Sequence, residues 1–216
     1  VIDNANESGI NSIDNYFINQ NIDLKEIKLK LDYENSRKIS YIHRIFNQLF
    51  YGPVLYEEIF NEKSQFSEKP LIDLDNIVLD DNLMSKLKTR FGNKISTVTG
   101  RGNFAFSYSM KNFLNNFDMK NSVFLEDRPL NLAKPNPKSL IESISGINSK
   151  CSLYIGDSME DLMMVEKCKE HGYDVSFCGI YGSSDEPELK YELFQKNKAS
   201  FILESIQELP KALNLV

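Results

Sequence analysis

Residues 151–172 read CSLYIGDSMEDLMMVEKCKEHG. Leu153, Tyr154 and Ile155 form a short apolar run that stops at Gly156-Asp157-Ser158, and a helical pattern follows. An apolar run ending at Gly-Asp predicts a buried parallel strand that delivers a carboxylate to its C-terminal end. That edge is where open α/β sheets bind ligands. Asp161 falls in the first turn of the helix, four residues after Asp157, so the two carboxylates can converge on one point. Paired hard oxygen donors beside a helix N-terminus suit Mg²⁺ and a phosphate. A plainer reading of the same residues is a helix N-cap, at Asp157 or Ser158, with an acidic first turn.

Outward from this stretch the pattern alternates. Residues 95–99 (ISTVT) predict a strand, Thr99-Gly100-Arg101 a tight turn, and 103–115 a helix. Residues 122–125 predict a strand ending at Glu126-Asp127-Arg128. Lys134-Pro135-Asn136-Pro137 leads into a helix that runs to about Ile144. After the Gly156-Asp157 strand and its helix come a strand over 175–180, a helix over 187–197, a short strand over 200–203 and a last helix to Leu213. Strands alternating with helices imply a parallel sheet with right-handed crossovers.

Upstream the period changes. Residues 1–8 are polar after the first two positions and read as a loop leading into a helix. Ile10, Ile13, Phe17 and Ile18 recur at helical steps, and Leu24, Ile27, Leu29 and Leu31 follow with Asp23 as N-cap. Ile39, Ile42, Ile45, Phe46, Leu49 and Phe50 form one side of a longer helix that Tyr51-Gly52-Pro53 stops. Leu55, Ile59 and Phe60 predict one more short helix. Residues 9–70 therefore read as an all-helical unit, and 71–216 as the α/β core. Between them, Pro70 and an Asp/Asn cluster argue against regular helix. Asp80 or Asp81 caps a helix through Met84, Leu87 and Phe91 that Gly92-Asn93 ends.

The chain has 216 residues, enough for one large domain or a domain with a smaller insert. Apolar residues at 41% and charged residues at 26% are ordinary for a globular protein. A net charge of −6 without a basic stripe argues against nucleic acid as a partner. No apolar run approaches the roughly 20 residues of a membrane span, and the start carries no signal peptide, so the expectation is a cytoplasmic protein. Cys151, Cys168 and Cys178 are unevenly spaced and lack a CxxC pair, which reads as reduced thiols serving as small apolar groups. His43 and His171 are too few and too far apart in sequence for a metal cluster.

Three groups sit at predicted strand ends. Thr99 offers a hydroxyl and the Gly100 turn an amide; Lys134 offers a cation in a proline-stiffened loop; Asp157 and Asp161 offer metal ligands. A hydroxyl, an amide, a lysine and a Mg²⁺ are what a transferring phosphoryl group needs around its oxygens. Each group also has a structural reading: a β-branched strand end, a solvated loop charge, an acidic first turn.

On VTGR (98–101), KPNPKSL (134–140) and GDSMED (156–161), the chain resembles the haloacid dehalogenase-like hydrolases. The endings GIYGSSDE (179–186) and ASFILESIQELPKAL (199–213) are also similar. The subfamily it looks most like carries an all-helical cap inserted after the first strand, as in phosphoglycolate-phosphatase-like proteins. The resemblance covers residues 83–213 well and the helical insert in kind. It implies a Rossmann-like parallel sheet flanked by helices with an inserted helical cap. It implies catalytic roles for Thr99 and Lys134, phosphate binding by Thr99, Gly100 and Lys134, and Mg²⁺ at Asp157 with Asp161 supporting. The implied activity is phosphomonoester hydrolysis of a small phosphorylated substrate through an aspartyl-phosphate, by a monomer or homodimer. The rival expectations are a non-catalytic phosphate-binding or regulatory domain, and dehalogenase or phosphomutase chemistry on the same scaffold.

One motif departs from the family. Its nucleophilic aspartate lies in DxDG[TV] after a central first strand, whereas VIDNANES resembles the segment just after that motif. Asp73-Leu74-Asp75 has the D-x-D spacing, but only Leu71 and Ile72 precede it after Pro70, and the helical unit would lie outside the motif pair. The expectation is that roughly ten to fifteen residues, one strand and its turn, precede Val1 in the parent protein.

Overall fold

A computed structural model describes residues 40–215. The helices expected around Ile10–Ile18 and Leu24–Leu31, the Asp23 cap and the loop over 1–8 lie outside the described residues. The chain divides into two compact units, Val1–Asn76 and Ile77–Val216.

In the first unit the described residues form helices and turns. Helix α1, Tyr41–Phe60, starts at Ser40, whose hydroxyl accepts from the His43 amide at 3.5 Å. The expected stop at Gly52-Pro53 is a break inside this helical run: Gly52 takes φ 67° and ψ 175°. Two constraints demand glycine there, the positive φ and a Pro70 Cγ that would lie 2.6 Å from any Cβ. The buried side of α1 differs from the apolar stripe read in the sequence. Ile42 and Phe46 are 43% and 51% exposed, while Asn47, Gln48, Tyr51 and Tyr56 are buried. Gln48 explains the rotation. Its Oε1 accepts from the Gln65 amide at 2.6 Å and its Nε2 donates to the Arg44 carbonyl at 3.2 Å, so the chain after α1 is pinned onto a polar position. Asp73-Leu74 lies in a 3₁₀ turn, Leu71–Leu74, and follows no strand.

The second unit is an α/β fold of parallel strands flanked by helices. Helix α2, Asp81–Phe91, is capped by the Asp80 carboxylate, which accepts from the Leu83 amide at 2.7 Å, and ends at Gly92 with φ 59°. Then follow β1 (Val98–Thr99), α3 (Asn103–Ser109), β2 (Val123–Phe124), α4 (Lys138–Gly146), β3 (Ser152–Gly156), α5 (Met159–Glu170), β4 (Val175–Ile180), α6 (Pro187–Lys196), β5 (Phe201–Leu203) and α7 (Leu209–Ala212). Strand β1 pairs with β2, Val98 opposite Val123. Strands β3, β4 and β5 form a second parallel ladder, with Tyr154 opposite Phe177 and Gly179 opposite Ile202. Among the described residues β1 and β3 do not pair.

One core joins both ladders, and a second lies on the other face of β3, β4 and β5. On one face Val98, Val123, Leu140, Val165, Phe177 and Phe194 pack beneath α4, α5 and α6. On the other, Leu153, Ile155, Cys178 and Ile180 meet Leu83, Leu87 and Leu209 from α2 and α7. The period of two along β3 and β4 is what sends alternate side chains to opposite faces. Strand β3 was expected to be buried, yet all five residues are half-buried, as suits a strand with one paired edge. The strand expected over 95–99 pairs only at its end. Earlier, the Ser122 hydroxyl substitutes for a backbone partner, accepting from the Thr97 amide at 3.1 Å.

All three cysteines are free thiols, Cys151 exposed and Cys168 and Cys178 buried. Burial pushes the Cys168 and Cys178 thiols up from 9.0 to about 11. A thiol is neutral when protonated, so the folded chain keeps these protons at a pH where an unfolded cysteine releases them. Their contribution to stability is whole below pH 9 and is lost as the pH rises towards 11. A disulfide-exchange reagent at pH 8 should therefore modify one thiol, Cys151, in the native chain and all three in urea. Phe194 is fully buried edge-on to Phe177, ring centroids 5.5 Å apart. Phe194→Ala should cost about 3–5 kcal/mol in urea unfolding.

Candidate active site at the C-terminal strand edge

Strand β1 ends at Thr99, whose Oγ1 accepts from the Arg101 amide at 3.3 Å and so closes the turn over Gly100. Gly100 is exposed and a Cβ there would meet open space, so its place in the turn is not forced by sterics. The next amides are already used. Glu126 accepts from the Gly102 N–H at 2.8 Å and Asp127 from the Asn103 N–H at 2.7 Å, so two carboxylates from the end of β2 cap α3. Their order after a strand was visible in the sequence, but the partner they cap was not.

Strand β3 ends at Gly156, and Ser158 is the N-cap of α5. The Ser158 hydroxyl accepts from the Asp161 amide at 3.1 Å while Asp161 Oδ2 accepts from the Ser158 amide at 3.2 Å, a reciprocal capping box. Asp161 Oδ2 also accepts from the Ser158 hydroxyl at 2.8 Å and from the Asp157 amide at 3.3 Å. Gly156 permits this, because a Cβ at that position would lie 2.6 Å from Asp161 Oδ2.

The other oxygen of Asp161 faces Lys134, which precedes a cis peptide bond to Pro135. Lys134 Nζ donates to Asp161 Oδ1 at 2.7 Å, and the two side chains are 16% and 4% exposed. Tyr154 completes the cluster. Its hydroxyl lies 3.0 Å from Asp161 Oδ1 and 2.9 Å from the Val98 carbonyl, and Lys134 Nζ sits 5.7 Å from its ring centroid. Burial first, and the Asp161 charge second, push the Tyr154 phenol well above its usual 10.0, so it remains a donor at neutral pH. Tyr154 passed as one member of an apolar run in the sequence; its hydroxyl was the only signal of a second role.

These bonds connect most of the expected site. Lys134 meets Asp161 directly, the Asp157 amide joins the same carboxylate, and Tyr154 reaches the residue before Thr99. Asp161 differs from the expectation that it converges with Asp157 on a metal. Five donors reach its two oxygens, and a carboxylate offers about four lone-pair positions. Asp157 is exposed, and its carboxylate takes part in no hydrogen bond or ion pair among the described residues. No group of three or more His, Cys, Asp or Glu side chains suited to a metal occurs among the described residues. Mg²⁺ retains waters and binds through one or two carboxylates plus substrate phosphate, so this donor set fits the ion through Asp157 alone. No described helix is long and apolar enough to cross a membrane.

No protein-family model matches the chain, and no curated protein matches it. Among solved structures, phosphatase Tt82 from Thermococcus thioreducens is similar at 24% identity with a TM-score of 0.49. The match covers 64% of this chain and 51% of that one, so it spans about half the length of the phosphatase.

Removing one partner of a buried ion pair leaves the other charge uncompensated. Asp161→Asn should therefore lower stability by about 3 kcal/mol, read from urea unfolding in the presence of EDTA. A residue whose role is metal coordination would show no such loss in a metal-free buffer.

Proposed function

We propose that this protein is a Mg²⁺-dependent phosphomonoester hydrolase that acts on a small phosphorylated metabolite through an aspartyl-phosphate, as the haloacid dehalogenase-like hydrolases do. The supporting observation is the Lys134–Asp161 pair, 2.7 Å long and nearly buried, at the edge where β1 ends in Thr99 and β3 leads into Asp157. A buried ammonium held beside a strand edge that presents a hydroxyl and a carboxylate is an arrangement for a phosphate dianion.

The roles divide by chemistry. The Thr99 hydroxyl and the Gly100 amide donate to phosphoryl oxygens. Lys134 offsets the repulsion between the phosphate and an attacking carboxylate. Asp157 would hold Mg²⁺, which when bound supplies further charge neutralisation at the phosphate. The attacking carboxylate is an aspartate that this reading places outside the described residues. Its oxygen bonds to phosphorus as the ester P–O bond breaks and the leaving oxygen takes a proton from solvent; water then attacks phosphorus, releasing inorganic phosphate and restoring the carboxylate. Asp73 and Asp75 are set aside, because a 3₁₀ turn presents no strand end.

A second reading, a phosphate-binding domain without turnover, is favoured by the scarcity of unengaged carboxylates at the described edge. The two separate in one assay. Full-length protein should release phosphate from a small monoester in Mg²⁺, and Asp157→Asn should reduce kcat/KM by at least about a hundredfold, as loss of an electrostatic stabiliser does. Full activity in Asp157→Asn would sink the assignment. Phosphate binding with no turnover would leave the second reading.

A further inference from the structure

The Tyr154 hydroxyl carries one proton and has two acceptors within reach, the Val98 carbonyl at 2.9 Å and Asp161 Oδ1 at 3.0 Å. The acceptors belong to different parts of the fold. The Thr97 carbonyl is turned to β2, where it accepts from the Val123 amide at 2.7 Å, so the Val98 carbonyl, one residue on, is turned to the opposite edge of β1. Asp161 Oδ1 is the oxygen that holds Lys134 Nζ, and the ammonium also lies over the Tyr154 ring. One phenol therefore spans from the residue before Thr99 to the carboxylate that anchors Lys134.

We infer that Tyr154 is a positioning residue for phosphate recognition: it holds the strand bearing Thr99 in register with the Lys134 ammonium, acting through Asp161. This rests on the phosphate reading of the site, and it adds a residue that touches no substrate. Lys134 is a flexible four-carbon chain, and a point charge serves a phosphate only where its location is fixed. Ring contact and the hydroxyl–carboxylate bond fix it from two directions. Removing the hydroxyl alone leaves the ring, its packing and the Lys134–Asp161 bond in place, but takes away one of the two donors to Asp161 Oδ1 and the tie to the Val98 carbonyl.

The test compares the chain with Tyr154→Phe. Lysines are acylated with trace acetic anhydride and read by peptide mass spectrometry, with exposed Lys169 as internal reference. In parallel, inorganic phosphate is titrated calorimetrically and the thermal midpoint is measured. In the unsubstituted chain Lys134 should react about tenfold more slowly than Lys169. Tyr154→Phe should raise the Lys134 rate several-fold relative to Lys169 and weaken phosphate binding about tenfold, the scale of one hydrogen bond to a charged group. A purely structural tyrosine would lower the midpoint and raise all lysine rates together, and that result overturns the inference. An unchanged Lys134-to-Lys169 ratio overturns it as well. If the unsubstituted chain takes up no phosphate, the phosphate reading fails and the acylation ratio still decides whether Tyr154 positions Lys134. If Tyr154→Phe does not fold, equal rates for Lys134 and Lys169 in the unsubstituted chain overturn the inference, and slower labelling of Lys134 supports it.

Discussion

The charge of Asp161 is the constraint around which the second unit is arranged. A carboxylate 4% exposed costs several kcal/mol to bury unless donors surround it. The fold supplies five: a lysine, a tyrosine, a serine hydroxyl and two backbone amides at the start of α5. Meeting that requirement dictates much else. Gly156 must be glycine so that the carboxylate can approach the end of β3. Ser158 must be a cap with a hydroxyl. The loop through Lys134 must return to the strand edge. A buried ion pair of this kind is weak evidence for stability, since an apolar replacement of equal volume is often as stable. On the function proposed above, its retention at a strand edge holds a cation where an anion can use it.

The same pair explains why the edge carries two kinds of carboxylate. Asp161 is saturated and inward, and Asp157, four residues earlier, is exposed and accepts nothing from the described residues. Identical side chains four residues apart are thus assigned different work by burial and by the donors that reach them. Glu126 and Asp127 are a third case, committed to the amides of Gly102 and Asn103 and so withdrawn from ligand chemistry.

Local signals were legible in the sequence wherever one residue type decides the geometry. An N-cap at Asp80 or Asp81, another at Asp157 or Ser158, Gly92 as a helix end and the alternation of strands and helices from 95 onwards all follow from short-range rules, and the structure uses Asp80 and Ser158. Features that depend on distant neighbours were not legible. The buried side of α1 is turned because Gln48 meets the Gln65 amide, a contact invisible to helical periodicity. Strand β3 reads as fully buried from its apolar run, but its exposure depends on which strands flank it. Asp157 and Asp161 look equivalent at i, i+4 spacing, and only the positions of Lys134 and Tyr154 separate them. The N-terminal helical pattern lies outside the described residues.

In the function proposed above, Lys134 and Asp157 serve a phosphate held against an attacking carboxylate, and the transfer is covalent. The most direct measurement is to quench full-length protein during incubation with a small phosphate monoester and Mg²⁺, and to look by mass spectrometry for a phosphorylated form that hydroxylamine removes. The account predicts that this acyl phosphate forms and decays with turnover. Phosphate release without any hydroxylamine-sensitive phosphoprotein, or no release at all, would contradict it.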